Sequence, residues 1–489
     1  MKLVINRQSK VPLAQQIHQA IADRILSGHL ERGARLPSVR QLAKMLQVSP
    51  VTVVHALDLL EAEGLITRVH GKGTFVYEEH AKTDQTTERQ KTFPVVDYLY
   101  RSQYWQYQKS EVPIDFAQSV VHPSLLPTQA LADSIRRLIR EEPDVLVQYG
   151  EIQGDLALRQ ALARYISGER ITASAHEILV TNGSQQAIDL VARSFVGPQD
   201  VVVTEEPTYT AAIDAFRSRG ATVLSVPVDE HGMRIDELTG LLDRCTPKLI
   251  YTIPSFHNPT GSVMSVKRRR ELIDIASEVN CLVLEDDPWS EIHFDEPPPP
   301  HLKSMDETGN VIYIKGLGKI LSPGCRIGFL IATGPVLERL VAAKTNADLG
   351  NPLLNQRVIL PLFENGSIRE SLRRLRETLR ERRNLTLRVL ERHAPDGVTW
   401  KIPKGGFNVW VSLPEGANAN ELMAEAEKVG IRFLPGSACD PNQIQWRHLR
   451  ISFSPTTEAD LEQGLTTLCH VMERYLSLLV NKKGKSPLF

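Results

Sequence analysis

The sequence predicts a multidomain chain in which a small α+β module precedes a large α/β body with a mostly parallel sheet, and three observations carry that reading. Apolar residues recur at three- and four-residue spacing from Pro12 to about Gly64, then give way to a β-prone stretch ending at Tyr77. A polar run from Glu78 to Lys91, EEHAKTDQTTERQK, is almost without apolar anchors and reads as a linker. From about Pro113 onward, short β-branched runs alternate with longer amphipathic stretches, the pattern of strands joined by crossover helices.

Bulk properties exclude several classes. The 489 residues, 42% hydrophobic and 24% charged, suit two or three packed cores of ordinary globular protein. A net charge of −1 rules out a chain-wide basic field, so a nucleic-acid partner must be met by a local patch. The five cysteines, Cys245, Cys281, Cys325, Cys439 and Cys469, are far apart and lack metal-ligand spacing, which predicts a reduced cytoplasmic setting and no metal site. The N-terminal stretch lacks an apolar signal core and no segment approaches the roughly 18 apolar residues of a span, so no membrane partner is expected.

The head is expected to hold three short helices and a hairpin. Leu36-Pro37-Ser38-Val39-Arg40 opens the second helix, and Val48-Ser49-Pro50-Val51-Thr52 opens the third, with proline where its missing N–H costs little. The short turn Leu46-Gln47-Val48 joins them, and Leu65 to Tyr77 forms a hairpin around His70-Gly71-Lys72-Gly73. Helices so related offer the N-terminus of the second to a DNA major groove, a winged helix-turn-helix. Residues 1–80 carry ten Lys/Arg against seven Asp/Glu, a local excess of +3. The strings PLAQQIHQAIADRILSG, GARLPSVRQLA, VSPVTV and LEAEGLITRVHGKGTFV resemble the GntR family of winged-helix repressors over about residues 10–78. The resemblance places Arg40, Ser49, Thr52, His70 and Gly71 on DNA-contacting positions. Lys72 joins them by its charge beside the wing glycines, and His55 because Pro50 and Val54 stand where the family often has basic residues.

The body's polar residues gather after the strand-like runs, where ligands of open parallel sheets bind. Thr181-Asn-Gly183-Ser184-Gln185 follows Ile178-Leu-Val, and Glu205-Glu-Pro-Thr-Tyr209 follows Val201-Val-Val. Phe256-His-Asn258 follows Leu249-Ile-Tyr-Thr, Asp286-Asp287-Pro-Trp289 follows Cys281-Leu-Val-Leu, and Lys319 and Arg326 follow Val311-Ile-Tyr-Ile. Together they supply an amine for a Schiff base, a carboxylate for a ring nitrogen, a phosphate cradle, a stacking aromatic and an amide donor.

Their order and spacing resemble the fold-type I (class I/II) aminotransferases over about residues 113–475. The resemblance implies pyridoxal 5′-phosphate held by Lys319 as Schiff base and Asp286 at the pyridine nitrogen. It places Asn258 at the phenolate oxygen, Tyr209 on the ring, and Ser184, Gln185 and Arg326 on the phosphate. Tyr149 would reach the phosphate of a neighbouring subunit, and Arg450, in Leu449-Arg450-Ile-Ser, would fork onto an α-carboxylate. Two departures stand out: Gly316 and Gly318 replace a common Ser-x-Ser, and Trp289 replaces a tyrosine that donates to the phenolate.

A GntR-like head joined to such a body resembles the MocR/GabR group of regulators. The expected organisation is a head over 1–78, a linker over 79–112 and a body over 113–489, with a smaller α+β subdomain over about 355–489. The implied function is a homodimeric regulator that binds paired DNA half-sites and senses an amino-acid-like or amine-bearing effector through a Lys319–cofactor aldimine. Two alternatives stay open: a working aminotransferase with an appended DNA-binding head, and control of vitamin B6 synthesis with the cofactor itself as signal.

Overall fold

The computed structural model describes residues 12–26, 30, 34, 36–62, 65–69, 73–77, 112–168, 170–442 and 444–483. The chain divides into two compact units, residues 1–101 and 102–489. His70, Gly71 and Lys72, and nearly all of the expected linker, lie outside the described residues.

In the first unit, α1 (Leu13–Leu26), α2 (Val39–Leu46) and α3 (Pro50–Ala62) precede the strands β1 (Ile66–Val69) and β2 (Gly73–Val76). Ile17, Ile21, Leu42, Leu46, Val53, Leu57 and Leu60 meet Ile66 and Val76 in one apolar core, the spacing read from the sequence made physical. Ser38 starts α2 through a reciprocal capping box with Gln41. Gln47 ends it with φ 51° and its N–H on Ala43 O, which turns the chain sharply into α3. The hairpin pairs Ile66 with Val76 and Val69 with Gly73, and Arg68 fastens it to α3 through Asp58 at 2.7 Å and Glu61 at 3.4 Å.

The second unit adds β3 (Ile114–Asp115), β4 (Ile178–Thr181), β5 (Val201–Glu206), β6 (Thr222–Asp229), β7 (Gly232–Met233), β8 (Leu249–Thr252), β9 (Leu282–Asp287), β10 (Val311–Gly316) and β11 (Gly328–Ile331). Eight of these form one sheet in the order β4-β11-β10-β9-β8-β5-β6-β7. Only β11 and the short edge β7 run antiparallel to their neighbours. Alternate residues of each strand enter different apolar clusters: Leu179, Ile312, Ile314 and Leu330 join one, while Ile178, Val180, Tyr313 and Phe329 join another. A sheet buried on both faces is what near-continuous Val/Ile/Leu strands require.

A separate antiparallel sheet, order β12-β13-β16-β15, is built from β12 (Thr399–Trp400), β13 (Asn408–Ser412), β15 (Leu434–Pro435) and β16 (His448–Ser452), and the long helix Glu458–Lys483 follows it. The remaining strand, β14 (Ile431–Arg432), pairs in parallel with β3 and so ties the start of the body to this C-terminal part. Among the described residues no helix is long and apolar enough to cross a membrane, and no His/Cys/Asp/Glu cluster could hold a metal ion.

Candidate functional site

The carboxyl ends of the parallel strands and the second sheet enclose a cavity of about 430 Å³, within the ordinary range for small-ligand pockets. Seven of the sequence-selected residues line it: Ser184, Tyr209, Asn258, Asp286, Trp289, Lys319 and Arg450. Five strand ends and one return strand deliver them, which is why they are scattered in the sequence.

Asp286 stands near the end of β9, buried, with Tyr251 of β8 donating to its Oδ2 at 2.6 Å. Its Oδ1 is buried and has no hydrogen-bond partner among the described residues. Burial, foremost, pushes this carboxyl up to about 7; the Tyr251 phenol opposes the shift, Asp287 adds to it, and Lys319 and Lys315 oppose it. Lys319 follows β10 in the tight turn Leu317–Lys319. Burial and then the Arg450 charge push its amine down to about 8, with Asp286 opposing, and its Nζ donates to the carbonyl of Ser119. An amine so placed is deprotonated often enough to attack a carbonyl carbon.

Arg450 arrives on β16 and donates to Asn258 Oδ1 at 2.9 Å and to the carbonyl of Ala117. With Oδ1 so engaged, Nδ2 is the Asn258 group with hydrogens left to give. A buried cluster holds the ends of β5 and β8 together: Glu205 accepts from Thr252 Oγ1 and Ile253 N, both at 2.8 Å, and lies 3.1 Å from His257. The loops that carry Tyr209 and Asn258 therefore leave from a fixed base.

An anion cradle lies at the helix Ser184–Phe195. Gly183 precedes it with φ 81° and no side chain caps its first turn, so its N–H groups are available to a phosphate. A Cβ on Gly183 would come 3.2 Å from Arg326 Nη2, so glycine keeps the guanidinium beside the cradle. Arg326 is exposed and donates to Asn182 O at 3.0 Å. Neither it nor Gln185, whose Nε2 reaches Ala211 O at 3.3 Å, lines the cavity directly. Gly316 has a reason too: a Cβ there would stand 3.1 Å from Ser184 Oγ, so Ser184 occupies the space a serine at 316 would need.

Two sequence-selected aromatics differ in their placement. Trp289 lines the cavity, but its indole N–H is spent on the Phe256 carbonyl at 2.5 Å and its ring lies on Phe407, so it is not turned to donate to a phenolate. A rigid indole with one donor cannot serve both partners. Tyr149 is 91% exposed and lies away from the cavity of its own chain. Sequence reasoning missed Tyr251 and the segment Ala117–Val120, which lines the cavity and meets both cations through main-chain carbonyls. Backbone acceptors carry no side-chain signature, and Tyr251 looked like one more apolar strand residue.

On the head, Arg40, Ser49 and His55 are exposed and Thr52 is half-buried. Ser49 caps α3 by accepting from Thr52 N at 3.1 Å, and the two hydroxyls share a hydrogen bond of 2.7 Å. Val51 and Val54 on α3 are 76% and 38% exposed, apolar side chains left on the surface of that helix.

The orphaned Oδ1 of Asp286, the uncapped helix start and the amine fit a phosphorylated pyridine aldehyde. Residues 120–468 match the family of aminotransferases class I and II, and residues 13–76 match the bacterial regulatory proteins of the gntR family. The HTH-type transcriptional regulator YisV of Bacillus subtilis is 33% identical over 96% of this chain and 98% of its own. The solved α-aminoadipate aminotransferase LysN of Thermus thermophilus, complexed with a phosphopyridoxyl-leucine, superposes with TM-score 0.73 at 34% identity, over 77% of this chain and 96% of its own. The kynurenine aminotransferase of Pyrococcus horikoshii, solved with PMP, gives TM-score 0.72 at 31% identity, over 77% and 94%. A pyridoxal-phosphate-dependent aminotransferase fold preceded by a DNA-binding winged helix along one polypeptide places this chain in the class I and II aminotransferase family, among its MocR-type HTH transcriptional regulators.

Proposed function

We propose that this chain is a cytoplasmic, homodimeric transcriptional regulator that holds pyridoxal phosphate on Lys319 and reads an amine-bearing, carboxylate-bearing effector in the same cavity. The observation that carries the reading is the convergence of Lys319, the partnerless Asp286 Oδ1 and Arg450 on one cavity, in a chain that also carries a GntR-type head. When bound, the cofactor supplies an aldehyde that captures amines and a ring that withdraws electrons.

The residues have distinct tasks. Asp286 Oδ1 accepts from the ring nitrogen, Asn258 Nδ2 donates to the ring oxygen, and Tyr209 covers a ring face. The start of the helix Ser184–Phe195, with Ser184, Gln185 and Arg326, holds the phosphate. Tyr149 serves the phosphate of a second copy, a reading that its exposure in the single chain supports. Arg450 gives a forked pair of donors to an effector carboxylate, which must first take them from Asn258 and Ala117. Two heads on one symmetric body then meet two DNA half-sites, with residues 79–112 as the linker. The GntR-type contacts fall to Arg40, Ser49, Thr52 and His55, together with His70, Gly71 and Lys72 of the wing.

The test is the visible spectrum of the purified protein, before and after addition of amino acids, beside promoter binding by the parent and by Lys319→Ala. A cofactor band that responds to amino acids, together with an effector response abolished in the variant, supports the reading. Unchanged promoter binding and effector response in Lys319→Ala overturns it. A second reading, a working aminotransferase, draws on the same intact set of residues and wins if the protein interconverts amino and keto acids at enzyme-like rates.

A further inference from the structure

Behind the pocket lies a buried ionic cluster that the site as described does not use. Lys315, 1% exposed, stands four residues before Lys319, with its Nζ 2.8 Å from Asp287 Oδ2 and 2.9 Å from Glu291 Oε2. Asp287 Oδ2 also accepts from Tyr313 Oη at 2.6 Å and Ser290 Oγ at 2.6 Å, and lies 3.9 Å from His301 Nε2. Glu291 accepts from Tyr165 Oη. Strand register places these groups: Lys315 pairs with Asp287 across β10 and β9, and Ile314 pairs with Asp286. Successive strand residues point to opposite faces, so Asp286 reaches Tyr251 on one side while its neighbour Asp287 is locked to Lys315 on the other.

We propose that Lys315 is a positioning residue for the cofactor: bound to Asp287 and Glu291, it clamps the ends of β9 and β10 so that Asp286 and Lys319 face each other across the pocket, and it offsets the negative charge beside Asp286. The inference rests on the reading of this cavity as a pyridoxal phosphate site. Three carboxylates, Asp286, Asp287 and Glu291, are buried within six consecutive residues. Without a cation among them, the least costly response is for one to take up a proton, because a buried charge without a partner is strongly disfavoured. Asp286 Oδ1, like Glu291 Oε2, accepts no hydrogen bond among the described residues, and Lys315 is one of the charges that favour ionised Asp286, so its loss shifts Asp286 toward the neutral acid, a poorer acceptor for a ring N–H. Besides Lys315, His301 faces the cluster from its other side and pairs with Glu285 at 3.3 Å. One imidazole shared between two carboxylates does not replace the ammonium.

The experiment compares apo-protein of the parent, of Lys315→Met and of the double variant Lys315→Met/Asp287→Asn, titrated with pyridoxal phosphate and followed by absorption of the bound cofactor. Lys315→Met weakens the cofactor by about tenfold or more, the scale set by removing one charge-assisted hydrogen bond. The double variant, which removes one of the two stranded charges along with the cation and so restores the net charge of the cluster, recovers most of the affinity and the parental band. Unchanged affinity in Lys315→Met overturns the proposal, and so does a double variant no better than the single one, whether the single one folds or not. Failure of the parent itself to bind pyridoxal phosphate overturns the underlying reading instead, so the two failures are told apart.

Discussion

Replacing Tyr251 by phenylalanine isolates the hydrogen bond that favours ionised Asp286. The phenol donates to Oδ2 at 2.6 Å with both side chains buried. A charge-assisted hydrogen bond of this kind contributes about 1.5–3 kcal/mol. One pKa unit represents roughly 1.4 kcal/mol, so its removal raises the Asp286 carboxyl by about one to two pH units. The starting point is about 7, set above all by burial, against an ordinary 3.8. A carboxyl raised in this way contributes its stability to the folded chain fully below 3.8 and loses it as pH rises through about 7. Cofactor capture runs in the opposite sense, because the ring nitrogen needs the anion. Affinity for pyridoxal phosphate therefore climbs as pH rises through about 7 in the parent, where Asp286 ionises. In Tyr251→Phe the climb moves up by about one unit or more, leaving cofactor about tenfold weaker near neutrality. Lys319, pushed down to about 8 by burial and then by Arg450, titrates in both proteins, so the difference between the two curves reports Asp286. The assay is equilibrium titration of apo-protein with cofactor at a series of pH values, read by visible absorption. Superimposable curves would refute the assignment of Asp286 as the group that ionises to hold the ring.

Three further outcomes follow from the geometry. Arg450→Lys keeps the charge but loses the fork, so the effector concentration needed for a promoter response rises by about tenfold or more while the spectrum of the bound cofactor without effector is unchanged; equal weakening of both would remove Arg450 from effector binding. Trp289→Phe removes the bond to the Phe256 carbonyl, and thermal unfolding is expected to show a destabilisation of about 1–3 kcal/mol with the cofactor's absorption maximum unmoved; a shifted maximum would mean that the indole does meet the ring. Ser49→Ala removes the cap of α3 at a cost of about 1 kcal/mol to the head and weakens promoter binding, while Ser49→Asp restores the cap but, by facing phosphates with a negative charge, does not restore binding in gel-shift titrations.

Much of this architecture was legible because each element is locally consistent. The helical spacing of Ile17, Ile21, Leu42, Leu46, Val53 and Leu57 led to the head's core, and Ser38, Ser49 and Pro50 marked where its second and third helices begin. The polar residues after β4, β5, β8, β9 and β10 were legible for a different reason: a parallel sheet buries its strands on both faces, so chemistry is left to their carboxyl ends. Less legible were pairings that depend on two strands at once. The partnership of Tyr251 with Asp286 needs the β8–β9 register, and that of Lys315 with Asp287 needs the β9–β10 register. The orientation of Trp289 is fixed by Phe256 and Phe407, residues remote from it in sequence. Tertiary neighbours, not spacing, decide such matters.

On the proposed function, one stretch of chain answers to both cations of the pocket. Arg450 donates to the carbonyl of Ala117, Lys319 to that of Ser119, and Ser119 Oγ donates to Asn408 of β13 at 2.9 Å. The stretch follows β3, whose pairing with β14 anchors the first strand of the body. A carboxylate is a stronger partner for a guanidinium than a carbonyl is, so an effector on Arg450 takes the donors from Ala117. Occupation of Lys319 takes the donor from Ser119 in the same way. The ligand therefore binds with different affinity to chains in which residues 117–120 are held or released, and that difference is the condition for any ligand to shift a conformational equilibrium. By reciprocity, whatever fixes these residues changes effector affinity by the same factor. Coupling of this kind needs no strain in the pocket and no long pathway, only a segment that cannot satisfy its own carbonyls and the ligand with the same donors.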